Sequence, residues 1–217
     1  MASGAVRDGA HERDRCDVAV DPAPVRRRPD VEVGRMTPLR EVRFIVLHTV
    51  GVAGDTTMAA IRRFHVHERG WADAGYHFGI RKDGTVETGR DASRAGAHVA
   101  GLNTVSLGVC VYGNGDTERW TDAQREAVLR LVRSLMDAHD VPAERVIGHR
   151  EVNRLIDAGK VAERWRTTKT CPGRLIDMAS LRVQLAPEPE PEPESGWIRR
   201  LLTAMARLVA SLARGAT

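Results

Sequence analysis

The chain is poor in cysteine and aromatic residues and has no long hydrophobic run. Of its 217 residues only three are cysteines, Cys16, Cys110 and Cys171, and aromatic side chains make up 4%. An odd number of widely spaced cysteines argues against a disulfide framework. No apolar stretch approaches the roughly 20 residues that cross a bilayer. The sequence therefore predicts neither a disulfide-stapled scaffold nor a membrane-spanning protein.

The N-terminal segment also lacks the apolar core of a secretory signal. Its residues alternate charges with Ala, Gly and Pro and show no sustained periodicity. Such a composition cannot bury enough apolar surface to fold alone. We therefore expect residues 1–38 to form a disordered arm, and the protein to be made in the cytoplasm.

The remaining composition is that of a globular protein with a basic balance. Hydrophobic residues make up 42% and charged residues 29%, and the formal net charge is +4. The length accommodates one domain of about 150 residues with appendages. The positive charge suits an anionic partner, which can be nucleic acid, a membrane surface or a wall polymer. No aromatic-basic interleaving or nucleic-acid motif is present, so nucleic-acid binding is not expected.

Strand and helix patterns alternate through the middle of the chain. We place one domain at residues 39–186 and predict an α/β fold, with a mixed central β-sheet flanked by helices. Asp83-Gly84 is a typical hairpin turn, and Thr121 is a typical helix N-cap. The other predicted elements are a strand at 42–50, a helix at 57–69, a strand at 105–112, a helix at 121–139 and a closing helix at 175–185.

The composition changes abruptly after Ala186. Alternating Pro and Glu residues predict an extended linker at residues 187–196. In residues 197–217 apolar side chains fall on one face of a helix and arginines on the other. A cationic amphipathic helix of this kind favours binding to an anionic membrane, while docking on the core or on a second protomer stays the alternative. Its membrane-binding candidates are Trp197, Arg199, Arg200, Arg207 and Arg214.

Three side chains in the central domain have the chemistry of metal ligands. His48 ends the first strand, His149 lies in IGHRE, and Cys171 precedes a Pro-Gly turn close to Lys169. Two imidazoles and a thiolate leave a fourth position open for water, as in catalytic zinc sites. The same residues also fit a Cys-His nucleophilic pair with His149 as the base. Spacing alone does not separate these two interpretations.

The chain from about Phe44 to Leu185 resembles the zinc-dependent N-acetylmuramoyl-L-alanine amidases, a family shared by phage endolysins and peptidoglycan recognition proteins. The matching stretches occur in the family's order. They are FIVLHT, IRRFHVHERGW, GYHFGIRKDGTVETGRD, GAHVAGLNTVSLGVCVYG, VIGHREV and KTCPG. The resemblance implies the mixed sheet of that family's fold. The N-terminal arm, the linker and the C-terminal helix lie outside the pattern.

The resemblance also assigns roles to residues of the site. The zinc ligands that it implies are His48, His149 and Cys171. Tyr76 and Lys169 match the family's catalytic tyrosine and lysine, with Lys169 placed to stabilise an oxyanion and Tyr76 to orient water or the intermediate. His98 matches a histidine facing the substrate cleft, so we expect it to bind substrate or to support the site. We expect His65, His67 and His77 to be ordinary helix or strand residues outside the site.

The implied reaction is hydrolysis of the amide between N-acetylmuramic acid and L-alanine in peptidoglycan. We expect a monomeric endolysin that reaches the wall after release by a separate pore. Two alternatives stay open: a non-catalytic muropeptide-recognition module and a cytosolic cell-wall-recycling amidase. Modules that only bind typically lose the cysteine ligand, and the recycling enzymes carry an aspartate there, so Cys171 favours the endolysin interpretation.

Overall fold

A mixed sheet of five strands is the centre of the computed structural model, which describes residues 37–186, 200 and 203–205. The strands are β1 (Phe44–Thr49), β2 (Phe78–Ile80), β3 (Val86–Thr88), β4 (Ser106–Val111) and β5 (Val146–Gly148). Their order across the sheet is β3-β2-β4-β1-β5. The predicted hairpin is the antiparallel pair β2 and β3, and all other pairs are parallel.

The position of β1 follows from its sequence. The run FIVLHT is almost continuously apolar, as is typical of a parallel strand that is covered on both faces. In the fold β1 pairs with β4 on one side and β5 on the other, and Ile45, Val46 and Leu47 are fully buried. Because side chains alternate along a strand, His48 shares a face with Val46.

Helices cover both faces of the sheet. They are α1 (Met58–His67), α2 (Asp122–His139), α3 (Val152–Asp157) and α4 (Met178–Leu185). Side chains of α2 and α4 pack on the face that carries Ile45 and Leu47. Met58 and Ile61 of α1 pack with Cys110 on the opposite face. The carboxyl ends of the parallel strands, where His48 lies, are left for the functional residues.

Helix boundaries follow capping chemistry, and two differ from the prediction. The Thr121 side chain accepts from the backbone N–H of Gln124 and completes a capping box, so α2 begins where predicted. The first helix ends at His67 rather than residue 69. The last one begins at Met178 rather than residue 175, because the Asp177 carboxylate accepts from the N–H groups of the second and third residues that follow it.

The terminal segments fall largely outside the described residues. The chain divides into two units, residues 1–185 and 186–217. Residues 200 and 203–205 are helical. The predicted arm lies outside the described residues apart from positions 37 and 38, as do Cys16, the linker from residue 187 onward and four of the membrane-binding candidates. Those four are Trp197, Arg199, Arg207 and Arg214. No helix in the described part of the chain is long and apolar enough to cross a membrane.

Candidate metal centre and active site

The three predicted metal ligands meet at the carboxyl ends of strands β1 and β5. Strands β1 and β5 are parallel neighbours, so His48 near the end of β1 and His149 directly after β5 come together. Cys171 lies in the loop that precedes α4. One potential ligand atom from each side chain lies within 4.8 Å of the other two. All three residues are buried.

The protonation of this cluster fits a divalent metal. Burial lowers the pKa of His48 well below its usual value, with further contributions from His149 and His98. Burial, followed by the charge of Lys169, lowers the pKa of His149 to about 4. Both imidazoles are therefore neutral at pH 7 and can offer a lone pair to a metal. Two neutral imidazoles and one sulfur are a donor set that suits tetrahedral zinc.

The Cys171 sulfur lies close to polar groups of His48 and Thr49. The backbone N–H of Thr49 donates to Sγ at 3.2 Å, and Nδ1 of His48 lies 3.6 Å from the same atom. A donor aimed at sulfur stabilises the thiolate form, which is the form that binds metals. Cys110 is also buried, but it packs with apolar residues of α1.

The loop that carries Cys171 is held by the residue that follows His149. The Arg150 backbone N–H donates to the Cys171 carbonyl at 2.8 Å. The Arg150 guanidinium donates to the carbonyls of Thr170 at 3.1 Å, Ile176 at 2.7 Å and also Gly173. Arg150 thus ties the cysteine loop to the strand end that delivers His149.

A second loop supports the cysteine loop from its other side. The Asp116 carboxylate accepts from the Thr170 hydroxyl and from the backbone N–H of Arg174 at 2.7 Å. The two backbones approach so closely that a Cβ at Gly115 would lie 2.0 Å from the Pro172 carbonyl oxygen. Sequence reasoning missed Asp116 and Arg150, because contacts between a side chain and a distant backbone leave no periodic pattern.

The predicted catalytic residues line one cavity together with two of the three ligands, His48 and His149. Its wall contains His48, His149, Tyr76, Lys169 and His98, and also four residues that sequence reasoning left out of the site. Those four are His65, Arg69, Trp71 and Ala97. The Tyr76 ring lies 5.1 Å from the His48 ring, measured between centroids. A larger groove of about 430 Å³ adjoins the cavity and shares Lys169, His98 and His149 with it.

Residues 38–174 match the family model described as N-acetylmuramoyl-L-alanine amidase. The chain belongs to this amidase family. The Klebsiella phage KP32 endolysin is 45% identical over 86 residues, which are 37% of this chain and 56% of the endolysin. Peptidoglycan-recognition protein LB of Drosophila melanogaster is 36% identical over 97 residues, which are 44% of this chain and 42% of that protein. The chain thus spans about half the length of these curated relatives.

Solved structures of amidases share the fold. The N-acetylmuramoyl-L-alanine amidase LysC from Clostridium intestinale URNW superposes with a TM-score of 0.59 at 28% sequence identity. The similarity covers 70% of this chain and 91% of LysC. This agreement and the observed sheet confirm the predicted α/β fold class.

Two further histidines of this amidase-family chain are buried, and one belongs to the cavity. His65 accepts from the Gly75 N–H at 3.0 Å and packs 4.5 Å from the Trp71 ring, between centroids. His65 was predicted to lie outside the site, and in the fold it lines the cavity from the inner face of α1. His77 accepts from the Gly108 N–H at 2.9 Å and lies 2.9 Å from the Arg94 carbonyl, as expected for a structural residue.

His98 lies directly behind one of the proposed ligands. Its Nδ1 is 3.0 Å from Nε2 of His48, and the residue is only 8% exposed. Burial lowers the pKa of His98 well below its usual value, and the nearby His77 adds to the effect. Both His98 and His48 are therefore neutral at pH 7.

Proposed function

We propose that the chain is a zinc-dependent N-acetylmuramoyl-L-alanine amidase that cleaves the amide between N-acetylmuramic acid and L-alanine in peptidoglycan. The observation that carries the proposal is the convergence of His48, His149 and Cys171, with ligand atoms within 4.8 Å of one another. Two of these ligands, His48 and His149, line a cavity together with Tyr76 and Lys169. Membership of the amidase family and similarity to a phage endolysin support the same reaction.

The proposed zinc ligands are His48, His149 and Cys171, and their mutual distances support this assignment. When bound there, zinc supplies a water of lowered pKa and a Lewis acid for the amide carbonyl. The burial of Cys171, which is 1% exposed, favours a ligand over a thiol nucleophile, because a nucleophile has to reach the substrate. Arg150 holds the loop that carries the sulfur donor.

Two side chains of the cavity act on the substrate. Lys169 places a positive charge beside the cluster, where it stabilises the oxyanion that forms when the amide is attacked. A preorganised group of this kind contributes about 3 kcal/mol. The Tyr76 hydroxyl orients the attacking water or donates a hydrogen bond to the oxyanion. His98 lines both the cavity and the groove, which supports either a role in substrate binding or a role through its contact with His48.

The test compares two cysteine variants on purified cell walls. Cys171→Ser should lose bound zinc and activity, whereas Cys110→Ala should keep both, because Cys110 lies beside His48 on the neighbouring strand β4 but is not part of the ligand group. Activity is measured as new amino-terminal alanine without new reducing sugar ends, and zinc as moles of metal per mole of protein. Release of reducing ends, or full activity of Cys171→Ser, would contradict the proposal.

We also propose a domain division in which a wall-cleaving domain carries a membrane-binding tail. Residues 1–38 form an arm, residues 39–186 the amidase domain, residues 187–196 a linker and residues 197–217 a cationic helix. Apolar side chains opposite Arg199, Arg200, Arg207 and Arg214 support binding to anionic lipid. The protein then acts as a monomer on the wall, after release from the cytoplasm by a separate pore.

Truncation tests the tail. Deleting residues 197–217 should abolish binding to vesicles that contain anionic lipid and leave the activity on purified walls unchanged. Replacing the four arginines by glutamine in the full chain should weaken vesicle binding and make it independent of salt. Unchanged vesicle binding by the truncated protein, or a loss of its thermal stability through lost docking, would contradict a membrane-binding role.

A further inference from the structure

The two ring nitrogens of His48 face different partners. Nδ1 faces the metal cluster and lies 3.6 Å from Sγ of Cys171. Nε2 points away from the cluster and lies 3.0 Å from Nδ1 of His98. The two rings meet edge to face, with centroids 5.0 Å apart and an interplanar angle of 85°. One nitrogen of His48 is thus available to a metal while the other is hydrogen-bonded.

This geometry fixes where the protons lie when a metal is bound. A lone pair on Nδ1 of His48 requires the proton of the neutral ring to sit on Nε2. That N–H donates to Nδ1 of His98, which must therefore be unprotonated. The neutral ring of His98 then carries its own proton on Nε2. The pair has one arrangement of protons that is compatible with metal binding.

Contacts with the neighbouring backbone fix the position of the His98 ring. The Asn103 side-chain oxygen accepts from the backbone N–H groups of both His98 and Val99, each at 2.9 Å. The ring packs directly against the backbone of two glycines, Gly96 and Gly108. A Cβ at Gly108 would lie 2.6 Å from the His98 Cγ atom, and a Cβ at Gly96 would lie 2.3 Å from its Cδ2 atom. The imidazole is thereby aimed at His48.

The second ring nitrogen of His98, Nε2, is buried as well. A hydrogen bond with the backbone of Ser106 opposes the effect of burial on the pKa of His98. The contact that joins this ring to the metal cluster is the one between its Nδ1 and Nε2 of His48.

We propose that His98 is a positioning residue that fixes the tautomer and the orientation of His48 for metal binding. Metal-binding histidines commonly donate their second N–H to a carboxylate, a carbonyl or water. Here the acceptor is a neutral imidazole, which adds no negative charge to the site. The proposal rests on the zinc site of the proposed function. It assigns to His98 a role through His48 rather than through the substrate.

The experiment compares two variants that differ by one methylene group. In His98→Asn the side-chain oxygen occupies the place of Nδ1 and can accept from His48. In His98→Gln the polar atoms lie farther along, near the place of Nε2, so the acceptor is lost. Zinc dissociation constants are measured by competition with a chromophoric chelator. We expect His98→Gln to bind zinc 10- to 100-fold more weakly than the wild type, and His98→Asn to stay within a few-fold.

Two controls separate the possible outcomes. Thermal unfolding of the metal-free variants shows whether either substitution damages the fold itself, and kcat and KM on walls show any effect on substrate. Equal zinc affinity of the wild type and both variants would overturn the inference. A raised KM at unchanged zinc affinity would do the same and assign His98 to substrate binding. A wild-type protein that binds no zinc would overturn the proposed function together with the inference.

Discussion

Some side chains at the site offer donor atoms to a metal, and two others, Lys169 and Arg69, carry positive charge. His48 and His149 are neutral because burial lowers the pKa of each. Lys169 lies on the same cavity, and its charge helps to lower the pKa of both. A cation fixed beside the cluster attracts the negative charge that develops on an oxyanion.

Removing the charge of Lys169 should therefore impair catalysis without removing the metal. We expect Lys169→Met to lower kcat on purified walls by about 100-fold, which corresponds to a lost oxyanion contact. Zinc content should stay at the wild-type level. Lys169→Arg, which keeps the charge in another shape, serves as the matched control and should retain more activity. A Lys169→Met enzyme with unchanged kcat would rule out the oxyanion role.

The residue types at the site could be predicted because their chemistry is unusual in the sequence. A cysteine before Pro-Gly and two histidines at strand ends stand out even without a family resemblance. His65 could not be assigned in the same way, since whether a helix histidine is buried depends on what packs against that helix. In the fold it is 3% exposed and faces Trp71 and Tyr76.

At the scale of helices, strands and loops, the site depends on loops that are held by hydrogen bonds from side chains to backbone carbonyls. Arg150 joins the turn after β5 to the loop before α4 through carbonyl oxygens of Thr170, Gly173 and Ile176. Each hydrogen bond from a charged group contributes about 1.5–3 kcal/mol before the loss of conformational freedom. The position of Cys171 is therefore set by a neighbour of His149.

Loss of the Arg150 side chain should loosen the cysteine loop. We expect Arg150→Met to destabilise the domain by about 2 kcal/mol and to weaken zinc binding by roughly tenfold. Amide hydrogen exchange in residues 169–176 should become faster than in α2. Arg174→Met, which alters an exposed side chain of the same loop, is the control. Equal exchange rates in the loop of both variants would show that Arg150 does not hold it.

Long elements were easier to predict than short ones. Helix α2 has a capping box and one continuous apolar face, so local signals determine both its existence and its start. The short helix α3 and the turn at Glu163–Trp165 were missed, because a few residues cannot show a helical period. The beginning of α4 was placed too early, since the cap at Asp177 was overlooked.

For the molecule as a whole, buried histidines link stability to pH. Burial is the largest cause of the lowered pKa of His48, His77, His98 and His149. In the unfolded chain these rings take up protons near pH 6.5, while in the fold they do so only at lower pH. The unfolded state thus binds more protons over this interval, and stability falls as the pH decreases.

The metal-free protein should therefore lose stability as the pH falls below about 6.5. His149 contributes to this loss down to its folded-state pKa of about 4. The loss is about 1.4 kcal/mol for each pH unit by which one histidine's pKa is lowered. Urea unfolding of the metal-free protein at pH 7.5, 6 and 5 measures this dependence. Zinc should add stability at pH 7.5 and progressively less at lower pH, because protons compete for the ligands. A metal-free stability that does not change from pH 7.5 to pH 5 would show that these histidines are not buried as neutral rings.

X-ray absorption at the zinc edge tests the proposed centre most directly. We expect the purified full-length protein to contain one zinc ion with two imidazole nitrogens at about 2.0–2.1 Å, one sulfur at about 2.3 Å and one light donor. The sulfur signal should disappear in Cys171→Ser and persist in Cys110→Ala. A wild-type spectrum without sulfur, or a protein that takes up no zinc, would contradict a centre formed by His48, His149 and Cys171.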